Sequence, residues 1–174
     1  MPNLKLLKKF SLSLLGVLLI ALAGCAEQPF SASLAISKIA IPAGGSKSIQ
    51  ISIINPPDAK TLQIGPTGAF TFDPAVAIVT SVHGLNGFQI FASSIDNIGG
   101  KVRFSAGFPG GSIRPILNSG ISMIELPIIE ITFTAVGVAG TASALSVTSV
   151  DMLADRNGKD IVLTSVKPGE IKVE

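Results

Sequence analysis

The chain has 174 residues, 47% of them hydrophobic, with 13 Lys and Arg against 11 Asp and Glu, one histidine and one cysteine. Charge this sparse in so apolar a chain excludes intrinsic disorder. The lack of a basic stripe speaks against a nucleic-acid partner, and a lone cysteine excludes an intrachain disulfide framework.

The N-terminus is read first. Lys5, Lys8 and Lys9 precede an uncharged run from Phe10 to Ala23, mostly Leu, Val, Ile and Ala. At about 14 residues it falls short of the ~20 a helix needs to cross a bilayer. Its layout is that of an export signal. Leu22-Ala23-Gly24-Cys25 closes the run, and it resembles the lipobox of bacterial lipoproteins. A plain secretory signal and an uncleaved membrane helix are the alternatives. The resemblance implies that residues 1–24 are a cleaved signal and that Cys25 is the lipid attachment site. A diacylglyceryl group on the thiol, usually with an acyl chain on the new amino terminus, implies firm attachment, since one acyl chain alone holds a protein only marginally. Cys25 then has no redox, metal or disulfide role. The expected location is the cell envelope, exported and anchored to a membrane through Cys25. Ala26 rather than aspartate follows it, a pattern compatible with an outer membrane in a two-membrane envelope. Without the three signal lysines, ten Lys and Arg face eleven Asp and Glu. The remaining ~150 residues suit one domain, enough to fold without staples.

Residues 25–33 read as a lipidated tether and 34–174 as the folded domain. Runs of β-branched residues alternate there with Gly, Pro, Asn and Asp clusters, the rhythm of an all-β sandwich. Leu34 to Ile41 is the first expected strand, and Pro42-Ala43-Gly44-Gly45 turns the chain. Lys47 to Ile54 alternates, with Ile49, Ile51 and Ile53 on one face and Ser48, Gln50 and Ser52 on the other. Asn55-Pro56-Pro57-Asp58 ends it. Thr61 to Phe72 follows, broken at Gly65-Pro66. Asp73-Pro74 turns into Val76 to Val82, and His83-Gly84-Leu85-Asn86-Gly87 reads as a turn before Phe88 to Ser93. After the Asp96 to Gly100 turn, Lys101 to Phe108 places Val102, Phe104, Ala106 and Phe108 inward. Pro109 to Gly120 reads as a surface loop. Leu126 to Val136 is the strongest strand signal, with Ile129, Ile131, Phe133 and Ala135 inward and Glu130, Thr132 and Thr134 outward. Ala142 to Val150 forms a strand or two. Asp155 to Asp160 is an expected hairpin tip, its Asn157-Gly158 suited to a type I′ turn, with Ile161 to Ser165 pairing there. Pro168-Gly169 turns into Glu170 to Val173. About nine strands result.

The order of these features resembles a cohesin-type module, a nine-strand jelly-roll β-sandwich. The resemblance runs from about Ser33 to Glu174. It is carried by Pro42-Ala43-Gly44-Gly45-Ser46-Lys47-Ser48-Ile49, by the Phe70-Thr71-Phe72-Asp73-Pro74 corner, by Gly100-Lys101-Val102-Arg103-Phe104-Ser105, by Ile128-Ile129-Glu130-Ile131-Thr132-Phe133, and by the Asp-Asn-Gly hairpin and Pro168-Gly169-Glu170-Ile171-Lys172-Val173. It implies a non-catalytic module that holds a separate protein, a dockerin or another envelope protein, on one sheet face. The outward rows Lys101, Arg103, Ser105 and Glu130, Thr132, Thr134 are both candidates for that face. Carbohydrate-binding modules share the fold, so a polysaccharide ligand is the alternative.

No catalytic constellation is expected. His83 is the only histidine and no Gly-x-Ser-x-Gly elbow exists, which removes the hydrolase triad on that motif. Zinc lacks the ligands it needs. Glu125 and Glu130 are the only carboxylates placed for glycoside hydrolysis, and Glu130 alternates outward between threonines. Asp151, Asp155, Asn157 and Asp160 could offer oxygens to Ca²⁺ but lack EF-hand spacing. No metal or cofactor is called. The chain has no Trp or Tyr, the residues that suit half-wet stacking surfaces. Phe88, Phe91 and Phe108 are the remaining candidates for weak sugar contact.

Overall fold

The computed structural model describes residues 31–55, 59–110 and 125–174. The Leu22–Cys25 signature, the Pro56–Asp58 breaker and most of the expected 109–120 loop lie outside them. The described residues form thirteen strands and no helix. No helix among them is long and apolar enough to cross a membrane. The strands are β1 (Ser31–Ile36), β2 (Lys38–Ile41), β3 (Ser46–Ile54), β4 (Ala59–Ile64), β5 (Phe70–Thr71), β6 (Ala77–Gly84) and β7 (Gln89–Asp96). Then follow β8 (Lys101–Gly107), β9 (Glu125–Ala135), β10 (Ala142–Val147), β11 (Met152–Asp155), β12 (Val162–Lys167) and β13 (Gly169–Val173). The protein is a jelly-roll β-sandwich. One sheet runs β12-β1-β3-β9-β6; the other runs β11-β4-β8-β5-β10-β13-β2, with β7 on the free edge of β8.

The period-two alternation explains the layers. Ile49, Ile51, Ile53, Ile129, Ile131 and Phe133 are all fully buried, and β3 and β9 pair antiparallel so that these rows lie side by side. Val102, Phe104 and Ala106 supply the facing layer from β8. The layers meet at three phenylalanines. Phe133 of the first sheet lies with its ring 6.2 Å from that of Phe70, and 5.4 Å edge-on from that of Phe72 just after β5. The Phe-Asp-Pro corner then leaves the sheet: Asp73 Oδ1 accepts Ala75 N at 2.9 Å, and Val76 N donates to the Asp73 carbonyl at 3.1 Å.

More strands form than alternation counts, because expected strands are divided. Leu34 to Ile41 breaks at Ser37, where β1 in the first sheet hands over to β2 in the second. The first strand also begins at Ser31, inside the segment read as tether. Pro168 does the same for β12 and β13, so it marks a crossing between sheets rather than a turn. The two crossings run side by side, with β12 parallel to β1 and β13 parallel to β2. Gly169 makes the close approach possible, since a Cβ there would lie 2.4 Å from the Ser37 carbonyl oxygen.

Three local expectations are corrected. His83 and Gly84 belong to β6, so the turn there is shorter, with Asn86 and Gly87 at positive φ. The Asn157-Gly158 tip is not type I′, which needs two left-handed residues; only Gly158 has positive φ, +78°. Asp155 is buried and shapes the turn: its Oδ1 accepts the N–H of Asn157 at 2.8 Å and of Lys159 at 2.9 Å. Ile161 to Ser165 does not form the return arm. The hairpin closes at one bridge, Ala154 to Asp160, and β12 departs to the other sheet.

Candidate binding face

The two outward rows lie on opposite faces of the sandwich, and they differ in how their polar groups are used. On the first sheet, Glu130, Thr132 and Thr134 stand beside β3. Thr134 Oγ1 bonds Ser46 Oγ at 2.7 Å, and Thr132 Oγ1 bonds Ser48 Oγ at 3.0 Å. Further along, Ser33 Oγ contacts Thr164 Oγ1 at 2.8 Å and accepts from Ser165 Oγ at 2.9 Å. This face closes on itself as a hydroxyl ladder. Single members of such exposed pairs contribute about 0.2–1 kcal/mol.

The second sheet presents Lys101, Arg103 and Ser105 from β8. Register places Ser94 and Ala92 of β7 beside Arg103 and Ser105, and Gln63 of β4 on the other side of Ser105. Between them lies an open groove of about 230 Å³, bounded by Gly65 and Pro66. Gly65 has φ +127°, and a Cβ on it would stand 3.0 Å from Arg103 Cβ. The arginine stem therefore packs against bare backbone. Its Nε is buried and has no hydrogen-bond partner among the described residues. The salt bridge found among those residues, Lys38 to Glu170 at 3.6 Å, lies elsewhere.

Phe91 stands at the margin of this face and is 61% exposed. It sits at a bulge of β7, between Ile90 and Ala92, and its ring covers Gly107, where a Cβ would come within 2.7 Å. Met152 of β11, paired with Gln63, adds a second exposed apolar side chain.

The Gly65 backbone that bounds the groove is held by Asp151. Its Oδ2 accepts Gly65 N–H and Gly68 N–H at 3.0 Å, its Oδ1 accepts Thr67 N–H at 3.2 Å, and the Thr67 hydroxyl donates to it as well. The carboxylate thus seals the gap between β4 and β5. The Thr67 hydroxyl, opposed by partial burial and helped by the N–H groups of Gly68, Gly65 and Thr67, holds its pKa below the ordinary carboxylate value. The Lys159 N–H, again against burial, does the same for Asp155, with Asn157 N–H and the charges of Lys159 and Arg156 adding to it.

The other sequence candidates are dispersed. His83 is exposed on β6 opposite Glu130. Glu125 is the first residue of β9, whereas Glu130 is at mid-strand. The oxygens of Asp151 and Asp155 proposed for Ca²⁺ are taken up by N–H and hydroxyl donors. No group of three metal-ligating side chains occurs among the described residues. Phe88 is buried against Phe108, ring centres 6.4 Å apart, which removes it as a sugar contact. Sequence reasoning missed Gln63, Gly65 and Ser94 as parts of the groove. It also missed Asp151 as a cap, because Gly65–Gly68 and Asp151 come together only through the pairing of β4 with β11.

No protein-family profile and no curated protein matches the chain. Solved structures do. A non-cellulosomal cohesin from Archaeoglobus fulgidus superposes with a TM-score of 0.61 at 11% identity, covering 83% of this chain and 91% of that one. The fold is that of a cohesin. A type I cohesin–dockerin complex from Clostridium thermocellum, Coh-OlpA, gives a TM-score of 0.66 at 11% identity, covering 83% of this chain and 99% of that one. The seventh ScaB type I cohesin from Pseudobacteroides cellulosolvens gives 0.63 at 16% identity, covering 83% and 93%. On the Arg103 face, Thr71 and Ser146 pair their hydroxyls at 2.9 Å beside Lys101, while Arg103 Nε has no hydrogen-bond partner among the described residues.

Proposed function

We propose that the chain is a non-catalytic, lipid-anchored binding module of the cell envelope, holding a separate protein of the dockerin kind on the outer face of β4, β8 and β7. The observation that carries this reading is the contrast between faces. Among the described residues, one pairs Ser46 and Ser48 with Thr134 and Thr132, and the other leaves Arg103 Nε without a hydrogen bond beside a groove and an exposed Phe91. The cohesin fold supports a protein partner, since some of the similar structures are described as complexes with dockerins. Interface hot spots are enriched in aromatics and arginine. The anchor rests on Leu22-Ala23-Gly24-Cys25.

Two experiments test the two parts. The detergent-solubilised full chain is used as bait against native envelope extract and a panel of dockerin modules. Phe91→Ala should weaken the captured complex about tenfold while leaving thermal stability unchanged, because the ring is mostly in water. Capture that is indifferent to Phe91→Ala removes this face from the reading. Retardation of the protein in glycan gels, with no protein captured, replaces the partner by a polysaccharide. For the anchor, cells are fed labelled fatty acid and fractionated. Cys25→Ala should lose the label and most of its membrane association. Labelled or membrane-bound Cys25→Ala overturns it.

A further inference from the structure

Resting on that reading, we infer that Arg103 is the reading head of the face and that it takes a carboxylate side chain, Asp or Glu, from the protein partner. In a sheet, an opposite charge directly across on the neighbouring strand is a stabilising partner for a cation. The neighbours of Arg103 are Ser94 on β7, by register, and Gly65, against which its stem packs. Neither carries charge. No hydrogen bond or ion pair to its guanidinium occurs among the described residues, and Nε is shut away from water without an acceptor.

The stem is held by shape instead. Gly65, lacking a Cβ, lets it lie against the backbone at the end of β4, and Asp151 fixes that backbone through Gly65, Thr67 and Gly68. A guanidinium positioned by packing keeps its outer donors for something else. Its planar fork matches a carboxylate with two parallel N–H···O bonds, a geometry that lysine cannot reproduce. Lys101 stands two residues along the same outward row, so the local charge also favours an anionic visitor. Two acids bear on this charge: Asp96 opposes Lys101 by register, with its Oδ1 accepting Ile98 N–H and Gly99 N–H, and Asp151 behind Gly65 is committed to the N–H groups of Gly65, Thr67 and Gly68. The groove beside Arg103, with Ser94, Ser105 and Gln63 on its walls, has room for a side chain and donors for its remaining lone pairs.

The test follows the Arg103 Nε–H resonance in the ¹⁵N-labelled full chain in detergent micelles. The probes are a hexaglutamate peptide, a hexaglutamine peptide and polygalacturonate. Hexaglutamate should shift the resonance, saturably and less at high salt, and hexaglutamine should not. Arg103→Gln should weaken hexaglutamate binding about tenfold or more, and Arg103→Lys should restore only part of it. Both variants should keep the wild-type amide spectrum away from the groove. An unmoved Nε–H, or equal binding by Arg103→Gln, overturns the inference. A response to polygalacturonate with none to hexaglutamate replaces the peptide by an acidic polysaccharide. A dockerin or envelope protein held equally by wild type and Arg103→Gln overturns the arginine's role and leaves the protein-binding reading standing. A wild-type chain that holds no protein at all overturns both.

Discussion

Phe133→Ala should remove about 3–5 kcal/mol of stability, roughly a fifth or more of what a domain of this kind possesses in total, about 5–15 kcal/mol. Phe133 is fully buried on β9, and its ring is the point where the two sheets meet, through Phe70 and Phe72. Truncation deletes the transfer energy of the ring and both ring contacts. The cavity left behind cannot collapse, because Ile131 and Ala135 on the same face are pinned by the β3 and β6 ladders. Urea denaturation checks this directly, with the midpoint falling at unchanged slope. Thr134→Ala is the matching control. It lies next in sequence on the opposite face, where its hydroxyl meets Ser46 Oγ at 2.7 Å, and should cost no more than about 1 kcal/mol. Equal losses in the two variants would contradict the assignment of the buried face.

The second large effect is expected at Asp151. Asp151→Asn should lower the melting temperature by roughly 5 °C or more near neutral pH. Asparagine keeps the shape but turns one acceptor into an NH₂ group that faces N–H donors. The sign of the pH dependence follows from the lowered carboxylate pKa. The unfolded chain takes up its proton near pH ~3.9, while the folded chain resists until a lower pH. The stabilisation is therefore complete above about pH 4 to 5, falls as the pH drops below the unfolded value, and is gone below the folded one. The gap in melting temperature between wild type and Asp151→Asn should close over that window. Asp155 is depressed in the same direction, but it is common to both proteins and cancels in the difference. Thermal melts from pH 7 down to about 2.5 measure it. A gap independent of pH would mean that the charge is not what Gly65, Thr67 and Gly68 recognise.

Both predictions show how differently the two kinds of residue can be read. Phe133 announces itself, since it falls on the inward phase of the alternation from Ile129 to Ala135. A one-residue slip would expose Ile129, Ile131 and Phe133 together, so only one face assignment is physically tolerable. Asp151 stands out in the sequence only as one of a group of acids, with nothing to mark it as a cap. It looks like any acid in a turn-rich stretch, and its four donors lie more than eighty residues earlier. The same holds for the site. Arg103 and Lys101 were visible as an outward row, but so were Glu130 and Thr132. What separates them is the pairing of Thr132 and Thr134 with Ser48 and Ser46 across strands.

The amino-acid sequence by itself determined the all-β class, the buried faces of β3, β8 and β9, the corner at Asp73-Pro74 and the breaks at Gly65-Pro66 and Asp96–Gly100. These depend on period-two burial and on the backbone limits of Gly and Pro, which act within a few residues. Only the tertiary structure decided that the terminal segments run parallel and cross between sheets at Ser37 and Pro168, that Asp155 shapes its own hairpin, and that Phe88 is buried while Phe91 is not. Those outcomes depend on which strands become neighbours. Outward polar rows are chemically alike along the chain, and they come to differ only when pairing satisfies the hydroxyls of one and, among the described residues, leaves Arg103 Nε of the other without an acceptor.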